Sequence, residues 1–199
     1  MVVASLLAAV RRAGPARVAP AVVVAGALLA AGCSSSSPPA GTTSLLNPGT
    51  TVFTAATAPH VPRVSGELLG GGKLSLTAYR GHVLVLNFWG SWCTVCREEA
   101  SALTETAQRF HSSGVRFLGV DVADNTASAE AFMRNFKITY PSLSDPGDKI
   151  ALSFNRVIPV SDFPSTLVIS PGGRITGRII GKVSTADLAS LIKAAEKQR

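Results

Sequence analysis

Residues 61–199 of this 199-residue chain predict an α/β fold, a central mixed β-sheet sandwiched by α-helices. Three observations carry that expectation. Val83–Trp89 is an unbroken apolar run of strand-favouring residues, the pattern of a central strand buried on both faces. Strand-type runs then alternate with stretches whose apolar residues recur every three or four positions, as on one face of a helix. Near the C-terminus, Pro171-Gly172-Gly173 marks a turn between two further strand-type runs, and a capped helix follows them.

In chain order, residues 1–33 read as a secretory leader. A basic stretch ending at Arg17 precedes Val18–Ala31, 14 residues without charge. That run is shorter than the roughly 20 residues a membrane-spanning helix needs. The small residues Ala30, Ala31 and Gly32 before Cys33 resemble the lipobox of bacterial lipoproteins, with Ala30 in the usual leucine position and Leu29 one place further off. The resemblance implies that Cys33 becomes the first mature residue and carries lipid, so that the membrane is itself a partner. Several acyl chains, at about 0.8 kcal/mol per buried methylene, anchor stably. Residues 34–60 are Ser, Thr, Pro, Gly and Ala with scattered Leu45, Leu46, Val52 and Phe53, which reads as a flexible spacer. A spacer of this length lets a domain range about 30 Å from the lipid surface.

Within the domain, Gly90 and Ser91 end the first strand, and Ala100, Leu103, Ala107 and Phe110 give Cys93 to about His111 a helical stripe that Gly114 terminates. Val115–Val120 is a second strand and Ala127–Phe136 a second helical stretch. Thr166–Ser170 and Arg174–Ile180 are strands on either side of the Pro-Gly-Gly turn. The last helix begins at Ser184, with an acid at Asp187 and a stripe of Leu188, Leu191 and Ile192. No internal repeat is present.

Composition excludes several functions. With 46% hydrophobic and 16% charged residues the chain is no disordered polyelectrolyte, and three cysteines cannot staple a chain this long. The net charge of +7 falls to +4 once Arg11, Arg12 and Arg17 of the leader are set aside, and the remaining Lys and Arg are spread singly. No nucleic-acid footprint is expected. Gly70-Gly71-Gly72 lacks a following Lys-Ser/Thr and reads as a loop, not a phosphate cradle.

The chemistry lies in Trp92-Cys93-Thr94-Val95-Cys96, where a buried strand turns into a helix. Two cysteines at this spacing can close a disulfide across one helical turn. The unpaired N–H groups and dipole of the first turn favour the thiolate of Cys93, making it the attacking sulfur and Cys96 the resolving one. A fall of the Cys93 pKa from about 8.5 to about 7 raises thiolate about 15-fold at neutral pH, but lower intrinsic nucleophilicity returns about sixfold of that. Proximity of Cys96 therefore contributes more than thiolate activation. A zinc site would need a second half, and none is visible: Cys33 belongs to the leader, and His60, His82 and His111 lie singly. A static structural disulfide closing so short a loop would add little to a domain with an ample core. No metal or other cofactor is expected.

Asn87–Cys96, followed by Phe163-Pro164-Ser165-Thr166-Leu167, resembles the thioredoxin superfamily, and within it the membrane-anchored thiol–disulfide oxidoreductases of the TlpA and ResA type. The likeness extends through Gly66–Gly81, Gly119–Val122, Tyr140–Asp145 and the hairpin at Gly172–Ile175. It implies a thioredoxin-like fold and a redox-active Cys93–Cys96 disulfide flanked by Trp92. It also implies a cis proline at Pro164 beside the pair, where a missing N–H helps receive an incoming chain. By itself, Pro164 also fits an edge proline leading a strand. The resemblance further implies protein thiol or disulfide substrates, apocytochrome c among them, a membrane thiol electron donor, and a place on the extracytoplasmic face of the bacterial cell membrane.

Three departures qualify the likeness. Thioredoxin carries a buried Asp where this chain has Asn87, and an amide cannot take the proton of the resolving cysteine. Asn is usual in the TlpA and ResA branch, which often places a carboxylate after the second strand; Asp124 stands there as the candidate proton acceptor, against the simpler reading of a solvated loop acid. Val95 replaces the proline common inside the motif, and Val157–Asp162 is longer than the family pattern. Glu98 and Glu99, just after Cys96, either oppose thiolate formation or occupy a wet helix face, and the face is the expectation. A thiol peroxidase would carry Thr or Ser where this chain has Gly90. Two other readings remain: a general disulfide oxidant or isomerase for secreted proteins, and a tethered binding module without turnover.

Overall fold

The computed structural model describes residues 47–159 and 161–198. The leader expected over residues 1–33, with Cys33, and the start of the spacer lie outside these residues. No helix among the described residues is long and apolar enough to cross a membrane.

A six-stranded mixed sheet forms the centre. β1 (Thr50–Val52) is followed by the hairpin strands β2 (Ser65–Glu67) and β3 (Lys73–Ser75), then β4 (Leu84–Trp89), β5 (Arg116–Val122), β6 (Ser142–Asp145), β7 (Ser165–Ile169) and β8 (Ile175–Ile180). In space the sheet runs β1-β8-β7-β4-β5-β6. β4 pairs parallel with β5 and β5 with β6, whereas β7 and β8 run antiparallel. All six residues of β4 are buried, as its apolar run predicts.

The helices are α1 (Thr94–Phe110), α2 (Thr126–Asn135), α3 (Lys149–Leu152) and α4 (Thr185–Glu196). On one face, Leu86, Phe88, Leu118 and Val120 pack with Ile150 of α3 and with Phe154 and Ile158. On the other, Val85, Phe117 and Val168 meet Leu103 and Phe110 of α1 and Leu188, Leu191 and Ile192 of α4. This is the expected sandwich. Ser184 caps α4 where the sequence places it, accepting from the Asp187 N–H, and at the head of α2 Asn125 accepts from the Ser128 N–H.

Part of the stretch expected as a spacer over 34–60 is built into the fold. Thr50–Val52 add an edge strand to β8 in the register Thr50↔Ile179, Asn47 hydrogen-bonds Asp187, and His60 bridges to Arg174. Gly49 makes the approach possible: at φ +94° a side chain there would be strained, and a Cβ would lie 2.5 Å from the Ile180 carbonyl oxygen. Three strand residues in a Thr- and Gly-rich stretch carry too short a pattern to be seen without their partner.

Candidate active site

At the C-terminal end of β4 the chain turns through Gly90–Trp92 and enters α1, which makes Cys93 the residue capping that helix. Cys93 Sγ accepts the Cys96 N–H at 3.1 Å, and the two cysteines form a disulfide with Cα atoms 5.3 Å apart. Both are nearly buried, whereas Trp92 beside them is 53% exposed. Trp92 is held in place: its Nε1–H donates to the Val122 carbonyl at 3.0 Å, and its ring meets Phe163 edge to face at 6.3 Å. The Phe163–Pro164 peptide bond is cis, and the Pro164 carbonyl accepts the Gly181 N–H at 2.8 Å. The structure thus joins the redox loop to the segment leading β7, two stretches about 70 residues apart in sequence.

Glu98 and Glu99 part company. Glu98 lies on the wet face of α1 and pairs with Lys182 at 3.0 Å, but Glu99 is 0% exposed, which corrects the expectation for that residue. The helical period carries it to the buried side with Cys96, Ala100 and Leu103. One carboxyl oxygen accepts from Asn87 Nδ2 at 3.0 Å and the other from the Val183 N–H at 2.8 Å; Asn87 also donates to Thr166 Oγ1 at 3.0 Å. Burial pushes the Glu99 carboxyl up, and the bonds from Val183 and Asn87 with the charge of Lys182 pull it back, leaving it at about 7. Its spacing of three from Cys96 on the apolar stripe was the available sequence signal.

Asp124, the candidate proton acceptor, stands close to the redox loop and is bonded to it. Its Oδ2 accepts the Ser91 N–H at 2.6 Å and its Oδ1 the Asn125 N–H at 2.8 Å. Burial raises its carboxyl, and the bonds from Ser91, Asn125 and the Asp121 side chain outweigh burial, so it lies below the ordinary aspartate value. A carboxylate whose anion is so well met binds a proton poorly. Asp121, on β5, is 1% exposed and was not singled out by its sequence. Among the described residues no group of three or more His, Cys, Asp or Glu is placed to hold a metal ion.

A disulfide at the head of a helix, over a mixed sheet with this strand order, defines a thiol–disulfide oxidoreductase of thioredoxin-like fold. Comparison with known proteins agrees. The chain belongs to the AhpC/TSA family, which matches residues 57–178. It is 31% identical over 143 residues to the thiol–disulfide oxidoreductase ResA of Geobacillus kaustophilus, covering 70% of this chain and 80% of that protein. Among solved structures it is similar to a DsbF homologue from Corynebacterium diphtheriae (TM-score 0.69, 28% identity, 79% of this chain and 96% of that one). A secreted thiol–disulfide isomerase from Corynebacterium glutamicum is similar too (TM-score 0.68, 25% identity, 78% of this chain and 92% of that one).

Proposed function

We propose that this oxidoreductase works as a reductant outside the cytoplasm, held to the membrane by lipid on Cys33. Its substrate class is the disulfide of a secreted or membrane-facing protein, with the haem-binding cysteine pair of apocytochrome c as the specific case, and its electrons come from a membrane thiol carrier. The observation that carries the reading is the Cys93–Cys96 pair at a helix N-terminus, with exposed Trp92 beside it, Phe163 against the Trp92 ring and buried Glu99 further along the same helix. The leader pattern supports the location, as does the secreted relative. An anchor keeps the reductant near both donor and emerging substrate, which raises their effective concentration.

In the reduced form the Cys93 thiolate attacks one sulfur of the substrate disulfide. The substrate S–S bond breaks, its other sulfur leaves as a thiolate and takes a proton, and a mixed disulfide with Cys93 forms. Cys96 then gives its proton to the Glu99 carboxylate and attacks Cys93 Sγ. The second substrate sulfur leaves and takes up that proton as the Cys93–Cys96 bond closes. Substrate gains two electrons and the cysteine pair loses two, which the donor restores. Trp92 and Pro164 flank the incoming chain, and the electrons reside on the cysteines without a cofactor.

Cys96→Ser is expected to accumulate a mixed disulfide with an oxidised Cys-x-x-Cys-His peptide, and Cys93→Ser to form none. An adduct on Cys93→Ser, or none on Cys96→Ser, would overturn the assigned order. The similarity to a secreted isomerase favours a second reading, a disulfide donor or isomerase using the same two sulfurs.

A further inference from the structure

Beneath the redox loop the sheet holds a carboxyl group that the exchange steps leave unused. Asp121 lies at the C-terminal end of β5, opposite Trp89 in the β4–β5 register, and is 1% exposed. Among the described residues no N–H or backbone donor meets either of its oxygens. Neither oxygen has a hydrogen-bond partner there, and the acid that acts on it most strongly is Asp124, three residues along the chain. A buried carboxylate with no donor would bear its full desolvation cost beside a second anion, whereas a protonated carboxyl can donate to that neighbour. The pair therefore holds a proton. It belongs to Asp121, because Asp124 already takes the Ser91 and Asn125 N–H groups, and both bonds favour the Asp124 anion.

The surroundings bear this out from each side. From β6, Asp145 adds a further acid whose own oxygens accept the Ile150 and Ala151 N–H groups at 3.1 and 2.9 Å. From α1, the Arg97 guanidinium reaches the Ser91 carbonyl and so binds the other side of the same loop. From α2, Phe132 stacks on Trp89 at 4.7 Å, while Glu130 and Arg134 pair with each other on the outside at 3.6 Å. Burial, then Asp124 and Asp145, push the Asp121 carboxyl up to about 8.

We propose that Asp121 is a positioning residue for disulfide exchange: its protonated carboxyl bridges to Asp124 and keeps that carboxylate on the Ser91 N–H, which fixes the loop carrying Trp92 and Cys93. As pH rises through the Asp121 titration the two carboxylates repel, the Ser91 anchor weakens, and Cys93 loses its set approach to substrate. The effect on exchange rests on the reading of Cys93 as the attacking sulfur; the shared proton does not.

Two measurements on the full chain test it. With ¹³C placed at aspartate side chains and the protein oxidised, so that no thiol titrates, one carboxyl carbon should remain in its acid form at about pH 6, titrate near 8, and vanish in Asp121→Asn. An Asp121 carbon already ionised at about pH 6 would overturn the proposal. In the reduced protein, the rate of Cys93 reaction with a small aromatic disulfide should fall behind the thiolate fraction above about pH 8, and Asp121→Asn, whose amide donates to Asp124 and cannot ionise, should track that fraction. Asp121→Ala should react about 5-fold or more slowly near neutral pH, and Asp121→Asn should recover to within about twofold. Superimposable pH–rate profiles of wild type and Asp121→Asn would overturn it even if Asp121→Ala does not fold. A Cys93→Ser chain that still reacts would instead overturn the assignment of the attacking sulfur and leave the carbon titration standing.

Discussion

Glu99 is a charged residue type with no solvent-exposed surface, and each of its oxygens meets one donor. That combination suits a group that takes and returns one proton near neutral pH. Glu99→Gln is expected to leave the first step, formation of the mixed disulfide on Cys93, unchanged and to slow resolution by Cys96 about 10-fold or more. Stopped-flow traces that resolve the two phases check this; equal slowing of both would assign Glu99 to packing alone. Linkage gives a second outcome. Glu99 rises from 4.5 to about 7 and Asp121 from 3.8 to about 8 on folding, so both bind protons more tightly in the folded chain. Their contribution is complete below their unfolded values and is lost as pH climbs through the folded ones. Urea midpoints should therefore decline from about pH 4.5 to about pH 8, less so in Glu99→Gln and Asp121→Asn; a midpoint rising over that range would contradict both assignments. Cys93, Cys96 and Pro164 were legible because their chemistry is written in consecutive residues. Glu99 and Asp121 were not read, since acids are exposed by default; the helical spacing from Cys96 was the one signal for Glu99, and for Asp121 only the packing of β5 decides.

At the scale of elements, the parallel pair β4 and β5 forms the floor of the site, and Gly119 is the point where that floor is tightest. A Cβ there would lie 2.1 Å from Ser142 Oγ and 2.6 Å from Trp89 Nε1. Gly119→Ala is expected to destabilise the chain by about 1–3 kcal/mol in urea unfolding, because neighbouring strands and the Trp89 ring must shift. A value indistinguishable from wild type would show that the floor relaxes freely. The sequence revealed α1 through its apolar period, α4 through its cap and apolar stripe, α2 as a helical stretch, and β4, β5, β7 and β8 as strand-type runs. The short strand β1 escaped it, and β2, β3 and β6 were touched only by the stretches of resemblance at Gly66–Gly81 and Tyr140–Asp145. Their three or four residues hold no period of their own and are strands because a partner edge is present.

For the molecule as a whole, the folded body begins well before residue 61. Ala58 is 4% exposed, Phe53 N–H donates to the Thr176 carbonyl at 2.9 Å, and β1 covers the outer edge of β8. Removing residues 1–60 is expected to leave the chain about 2 kcal/mol or more less stable in urea unfolding than removing residues 1–43, and to promote self-association through the bared β8 edge. Equal midpoints for the two truncations would contradict the strand's role. Thiol–disulfide exchange is set by the fold and the cysteine pair, but its direction is set by the free-energy difference between dithiol and disulfide. The reduction potential of the Cys93–Cys96 couple in the full chain, equilibrated in glutathione or dithiothreitol buffers, reads that difference directly. The reductant reading predicts a value near or below about −250 mV, and a value near about −120 mV would make the protein a disulfide donor and contradict it.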